Sequence, residues 1–442
     1  MDVLMSREVT LQDIKNYQAA YHAVPGGAVV KRTVMNNGIN AASEDTAVKA
    51  KLNRAFSLEL DTGAVSNQKK SGRCWLFSTL NTIRHDVAKQ INLKDFEFSE
   101  NYLSFWDRFE KANAFYEHIL ATANEPADSR IVTWLLEMPD DDGGQWDNAA
   151  ALIKKYGAVP QSVMPETFNS ENTAEFSQVL GLKLRHDAVG LRKLVQNEAA
   201  ASKITETKQK MLGEVYRMCT YTFGEVPSTF TFTYRDDNKK YHRETNLTPQ
   251  LFAQKYISRD LGDYVVLINS PDKPFNRLYT LPMEDNVIGG QHVTFLNVDL
   301  ITFKVLTIQQ LKAGETIWFG NDVLQQMNRQ EGLLDSGLYK RAELFGVDLS
   351  LSKADRLTYR EAVVSHAMTL TGVDLVADQP TKWKVENSWG EKNGEKGYFV
   401  MSDDWFDDFV YHTVINKKFL TPAQQKMLTT TPTELTPWDS MA

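Results

Sequence analysis

The chain has 442 residues, of which 42% are hydrophobic and 24% charged, and its formal net charge is -8. That length exceeds one ordinary domain of about 150 residues, and the acidic balance argues against strong general binding to nucleic acid or to an anionic membrane surface. Two cysteines, Cys74 and Cys219, are too few for a disulfide framework or a cysteine-rich zinc site, so a reducing cytoplasm is expected.

The first eight residues place charges where a secretory leader needs an apolar run, and no apolar stretch is long enough to span a bilayer. No signal peptide and no membrane segment are therefore expected. Thr10 caps a predicted helix carrying Leu11, Ile14, Tyr17 and Tyr21, which ends before Pro25-Gly26-Gly27. A polar stretch follows to about Arg54. From Cys74 to Ile91, the residues Leu76, Leu80, Ile83, Val87 and Ile91 recur at spacings of three and four, which predicts a helix with one buried face.

Ser99 suits the N-cap of a second helix bearing Tyr102, Phe105, Trp106 and Phe109. A third helix is predicted from Trp146 to Tyr156, stopped by Gly157. The region 176–280 changes texture. A locally basic helical stretch leads to the alternating strand Thr229–Tyr234, and Thr248-Pro249 opens a helix with Leu251, Phe252 and Tyr256. The last third reads as strands at Tyr264–Ile268, Thr316–Phe319, His366–Leu375, Lys382–Glu386 and Gly397–Met401. Cys74 thus lies in a helical half, while the best histidine and asparagine candidates lie in a β half, an arrangement that places a cleft between them.

Cys74 follows Ser71-Gly72-Arg73 at the predicted start of its helix. Unpaired backbone N–H groups and the positive end of the helix dipole favour thiolate there, and thiolate is the nucleophile. The plain alternative is a small buried hydrophobe, the usual fate of a free cysteine. Gln68, six residues upstream, offers a side-chain amide that could complete an oxyanion hole with the Cys74 N–H.

Eight histidines compete for the role of base. His22, His118, His186, His242 and His412 are expected at the surface. His85 lies eleven residues along the Cys74 helix, about 16 Å away at the usual rise. His292 and His366 both precede apolar runs. His366 is preferred because the strand Lys382–Glu386 ends in Asn387-Ser388-Trp389-Gly390. An asparagine carbonyl there can orient the imidazole, and Trp389 can shield that hydrogen bond.

Gln68, the run Ser71-Gly72-Arg73-Cys74-Trp75-Leu76-Phe77, Ser365-His366-Ala367 and Asn387-Ser388-Trp389-Gly390 resemble the papain-like cysteine peptidases. Arg73 departs from the small residue expected before the cysteine. Cys74 and His366 are 292 residues apart, about twice the separation of that pattern, so a large insertion is needed. With Asp142-Gly143-Gly144-Gln145-Trp146-Asp147, Trp318–Val323, Gly397–Ser402 and Pro437–Ala442, the whole chain is similar to the bleomycin hydrolase and aminopeptidase C family, including its endopeptidase relatives in lactic acid bacteria.

This resemblance implies an α+β, papain-like, two-lobed fold: an N-terminal arm (1–55), a helical left lobe (56–175), a helical insertion (176–280), a β-rich right lobe (281–420) and a C-terminal arm entering the cleft (421–442). It further implies a homo-hexamer enclosing its active sites, peptide substrates and no metal or organic cofactor. Cys74, His366 and Asn387 would be catalytic, with Gln68 in the oxyanion hole and a low thiol pKa from a thiolate–imidazolium pair. Gly143, Gly144, Trp389 and Ala442 would meet substrate, although Gly143-Gly144 reads equally as the turn before a helix.

In the family's aminopeptidases the arm blocks the cleft and its terminal carboxylate anchors the substrate amine. Here the arm ends at Trp438-Asp439-Ser440-Met441-Ala442, about three residues, or roughly 10 Å, early. An endopeptidase is therefore expected, with an aminopeptidase as the alternative. Residues 181–220 carry eight Lys/Arg against four acids. A solvated helix face is the expected reading of that cluster, and nucleic-acid binding the minor one. A catalytically dead, peptide-binding scaffold is not expected, since all four catalytic residue types are present. Cys219 is expected to be structural.

Overall fold

The computed structural model describes residues 7–442; residues 1–6, part of the stretch expected to lack a leader, lie outside the described residues. The Cys74–Ile91 helix forms as its periodicity predicts, with Leu76, Leu80, Ile83 and Val87 fully buried. Its other face is buried as well. Ser78 and Thr82 meet Thr369 of the second lobe's sheet, and the hydroxyls of Ser78, Thr79 and Thr82 find acceptors there or in the preceding turn. The helix is therefore the shared wall of two lobes.

The helical lobe packs Glu100–Ala121 and Trp146–Tyr156 around it. Ser99 Oγ accepts the Tyr102 N–H at 3.0 Å, and Gly157 ends the third helix at positive φ. Two long helices, Ala174–Gln196 and Ala201–Phe223, lie against Glu100–Ala121, and the hairpin Phe230–Arg235/Tyr241–Leu247 follows. Several cations of the basic stretch are committed: Lys183 to Asp187 and Glu214, Arg185 to the Leu136 and Glu137 carbonyls, Arg192 to Thr122 O, and Lys208 to Glu117. That is the behaviour of a charged helix face pinned to its neighbours.

The second lobe is one sheet. Its path runs Thr433–Glu434, Arg277–Thr280, Thr294–Asn297, Tyr264–Ile268, Val410–Asn416, Ile317–Asn321, His366–Val376, Gln379–Glu386, Tyr398–Ser402, Leu333–Leu334, Met327–Asn328. One apolar core spans the lobe interface, joining Trp75, Leu80 and Trp146 to Phe295, Trp318 and Tyr411 of the sheet, and a second, around Phe319, Trp383 and Phe406, lies within the second lobe. The lobes are also tied by Trp318 Nε1 donating to Trp75 O at 3.0 Å and by a buried ion pair, Arg84 to Glu386 at 2.6 Å.

Two expectations are corrected. The polar stretch before Arg54 contains the helices Gly27–Asn37, Ile39–Ser43 and Thr46–Lys51. Only Ser43 among their residues is buried, so no apolar period marks them in the sequence. His412, expected at the surface, is wholly buried in the strand Val410–Asn416, beside Phe295 and Trp318. That strand is covered on both faces and so shows no alternation.

Among the described residues, no helix is long and apolar enough to cross a membrane.

Candidate active site

Cys74 is the first residue of its helix, opened by Leu76 and Phe77 N–H groups donating to Arg73 O at 3.0 Å each. The turn before it is clamped from far along the chain. Gly72 N–H donates to Asp142 Oδ2 at 2.6 Å, and a Cβ on Gly72 would stand 2.2 Å from Asp142 Oδ1, so only glycine fits. Trp75 Nε1 donates to Asp142 O at 2.8 Å. The unexpected Arg73 has a structural account: its buried guanidinium grips Glu166 with two bonds, at 3.2 and 2.7 Å, and also reaches Ser104. It points into the helical lobe, away from the cleft.

The sheet brings His366 and Asn387 together. His366 opens its strand, while Asn387 immediately follows the antiparallel neighbour, whose Glu386 pairs with Thr369. The start of one strand and the end of the other thus share a sheet edge. His366 Nε2 lies 2.9 Å from Asn387 Oδ1, which also accepts the Ser388 N–H at 2.8 Å. An oxygen acceptor assigns the proton to Nε2 and leaves Nδ1 as an acceptor, the state a general base requires. The Trp389 ring covers the imidazole, with centroids 4.8 Å apart.

Gln68 is held as tightly. Its Nε2 donates to Ser71 O at 2.7 Å, its Oε1 accepts from Ser388 Oγ at 2.6 Å, and its backbone N–H donates to Ser388 O at 2.8 Å. One amide proton remains unspent. The Ser78 Oγ bond to Met368 O, 2.7 Å, locks the first turn of the Cys74 helix against the His366 strand.

Burial pushes the Cys74 thiol up to about 11, although the Ala367 and Trp75 amides favour the thiolate; Asp142 and Asp141 add to the rise. Cys74 keeps some exposed surface, but its sulfur is packed closely enough for burial to dominate. Burial likewise pulls His366 down to about 4 against the Asn387 bond, with Arg329 lowering it further. Each charge made alone is disfavoured. The Ala367 amide at the Cys74 sulfur sets the thiol beside the start of the His366 strand; were the proton to pass from Sγ to Nδ1, both charges would appear together, each a counter-ion for the other. At the helix start burial outweighs the backbone amides that favour the thiolate.

A sequence profile of the Peptidase C1-like family matches residues 8–442. The chain belongs to that family. It is 50% identical over 438 residues to aminopeptidase G of Lactobacillus delbrueckii subsp. lactis, covering 99% of this chain and all of the relative. It is 46% identical over 442 residues to aminopeptidase C of the same organism, covering 99% and 98%. The crystal structure of PepW from Lactobacillus rhamnosis superposes with a TM-score of 0.97 at 54% identity, covering 99% of each chain. The protein is a cysteine peptidase with a papain-like fold.

The remaining candidates divide clearly in this peptidase. Gly143 and Gly144 lie on an extended segment before the Trp146–Tyr156 helix. Gly143 is spent internally: its N–H donates to Asp141 Oδ1 and its carbonyl accepts from Lys111 Nζ. Gly144 has no hydrogen-bond partner for its N–H or C=O among the described residues. Its Cβ would meet the Trp75 ring at 2.8 Å, which is why the position is glycine.

Met441 is fully buried, and its carbonyl lies 3.5 Å from Gln145 Nε2, next to Gly144. Ala442 borders cavities on both sides of the arm. Lys273 holds Asp439 at 3.0 Å, and Arg130 lies over the Trp438 ring at 3.8 Å. His292 is exposed and pairs with Asp285 at 2.6 Å. Cys219 is buried in the helical lobe.

Sequence reasoning missed Asp142, which organises the Cys74 turn from about 70 residues away, and Arg329, which lies 4.2 Å from the Trp389 ring centroid. Asp142 opens the Asp142–Asp147 run, but nothing in that run announces its distant partner, and no local pattern marks Arg329.

Proposed function

We propose that this cysteine peptidase removes residues from the free N-terminus of oligopeptides. The Cys74 thiolate attacks the scissile carbonyl while the Cys74 N–H and the unspent Gln68 amide proton receive the oxyanion. His366, as imidazolium oriented by Asn387, protonates the leaving amine. It then takes a proton from water, which hydrolyses the thioester and restores the thiol. The observation that carries the exopeptidase reading is Met441, buried beside Gln145 and Gly144 where a substrate chain would continue on the acyl side. Relatives bearing aminopeptidase names support it.

An endopeptidase is the second reading. One observation favours it: beyond the arm lies a cavity of about 440 Å³ lined by Phe115, Trp134, Met138 and Met283, space that a longer acyl-side chain would use if the arm moved aside. Matched peptides with free and acetylated N-termini, digested by the reduced enzyme and read by mass spectrometry, decide between the two. Stepwise loss from free peptides only supports the exopeptidase. Internal cleavage of the acetylated series, absent in Cys74→Ala, would overturn it.

Self-assembly into a hexamer and residence in the cytoplasm complete the proposal. The Leu11–His22 helix exposes Leu11, Ile14, Tyr17 and Tyr21 with none of its residues buried, which supports a partner surface. Both cysteines are free, which suits a reducing compartment. A monomer by light scattering would remove the assembly.

A further inference from the structure

Arg329, at the rim of the site, pairs with no carboxylate among the described residues. It is exposed, and its guanidinium lies 4.2 Å from the centroid of the Trp389 ring. That distance is a cation–π contact, which holds a side chain that would otherwise sample many rotamers. The turn beneath is fixed: Gly332 N–H donates to Asn328 O at 2.9 Å, Glu331 N–H to Asn328 Oδ1 at 3.1 Å, and Gly394 N–H to Gln330 O at 3.0 Å. The neighbouring carboxylates are already committed, Glu331 to Lys49 and Glu395 to Arg54.

Its position relates to the leaving group. The acyl half of a substrate has its backbone partner at Gly144. The leaving half starts at the nitrogen that His366 protonates, and the surface beside the imidazole is the Trp389 ring, 4.8 Å away between centroids. Arg329 sits a further 4.2 Å step from that ring. An extended chain advances about 3.3–3.6 Å per residue, so the guanidinium stands within reach of the first or second leaving residue. Its charge is close enough to help depress the imidazole pKa.

We infer that Arg329 is a specificity-determining residue that receives a carboxylate on the leaving side of the substrate. The carboxylate is either the C-terminus of a short leaving peptide or an Asp or Glu side chain near the cleaved bond. A guanidinium presents paired donors that match a carboxylate fork. The favoured substrates are accordingly short oligopeptides, or peptides acidic just after the scissile bond. The contact adds binding on the leaving side and takes no part in bond breaking. This inference rests on the assignment of His366 as proton donor.

The experiment uses the full-length enzyme and substrates with one common acyl part. Two leaving dipeptides differ only in ending as Ala-Ala carboxylate or Ala-Ala amide. Two more, both amidated, carry Glu or Gln at the second leaving position. Wild type, Arg329→Met and Arg329→Lys are compared by competition, and kcat/KM ratios within each pair are read by mass spectrometry at low and high salt. Ratios cancel any change common to both members, including a shifted imidazole. The wild type should favour the carboxylate member about three- to fivefold at low salt, as expected for an exposed charge pair, and less at high salt.

The preference should fall to about one in Arg329→Met and survive in part in Arg329→Lys. Preference in the first pair alone identifies a terminal carboxylate, and in the second alone an acidic side chain. A wild-type ratio of one, or one that persists in Arg329→Met, overturns the inference. Cleavage positions in the same spectra report separately on the exopeptidase reading. Activity retained by His366→Ala would overturn the proton-donor assignment and this inference with it.

Discussion

Replacing Gln68 by alanine tests the oxyanion hole. The side chain makes two contacts that fix its plane, Nε2 to Ser71 O at 2.7 Å and Oε1 from Ser388 Oγ at 2.6 Å, and leaves one proton for a developing oxyanion. Removing such a donor costs about 10²- to 10³-fold in kcat. The structural cost is separate: each of the two neutral hydrogen bonds contributes about 0.5–1.5 kcal/mol, so stability should fall by no more than about 3 kcal/mol. The assay is steady-state hydrolysis of a fluorogenic aminoacyl amide beside urea unfolding of the same preparation.

The expected signature is a large drop in kcat with KM little changed, since the interaction forms only as charge develops. Ser388→Ala keeps the donor but frees the amide to rotate, and should lose about tenfold, because orientation alone contributes to the barrier. A Gln68→Ala enzyme within tenfold of wild type in kcat would refute the assignment. A loss explained wholly by a smaller folded fraction in the urea curve would do the same.

Three further outcomes follow from the packing. Gly144→Ala should lower kcat/KM about tenfold, because its Cβ would meet the Trp75 ring at 2.8 Å and push the open backbone out of line with a substrate strand; unchanged kinetics would mean that this backbone does not pair with substrate. Arg84→Met should destabilise the fold by about 3 kcal/mol in urea unfolding, the low end for a broken buried pair since Glu386 can protonate, and the loss should grow as pH rises through the raised pKa that burial gives Glu386 in the intact pair. Burial pulls His412 down to about 3, so the unfolded chain takes up its proton first and stability should fall as pH drops below about 6.5. His412→Leu should flatten that limb of the urea midpoint against pH, and equal slopes would count against it.

The local half of this structure was legible before the fold was known. The helix over Cys74–Ile91 begins and ends where its apolar spacing indicates, and Ser99 and Thr248 cap the helices they announce. These depend on residues within a few positions of one another. His366 and Asn387 were legible because two neighbouring antiparallel strands must bring the start of one beside the end of the other. What escaped depends on distant pairing or on missing burial. Arg73 looked anomalous only because Glu166 is 93 positions away. The helices at 27–51 hide for the opposite reason: they bury almost nothing. His412 was misplaced because a strand covered on both faces shows no period.

The electrostatics at Cys74 give the proposed His366 base a second role beyond proton delivery. Two carboxylates work against the thiolate: Asp142, committed to the Gly72 turn, and the exposed Asp141. Arg108, 2.6 Å from Asp140 and 3.6 Å from Asp142, shares one positive charge between them. The same Asp142 that clamps the nucleophile therefore makes its ionisation harder, and the helix terminus with the Ala367 amide does not outweigh burial. On the proposed mechanism the His366 imidazolium is the counter-ion that offsets the carboxylates and burial. In His366→Ala, alkylation of Cys74 by iodoacetamide should thus slow at least tenfold at neutral pH and recover only in strongly alkaline solution, since thiolate is the reacting species. A variant thiol that still reacted at the wild-type rate near neutral pH would mean that the helix start alone sustains the thiolate, and the paired-charge account of this site would have to be abandoned.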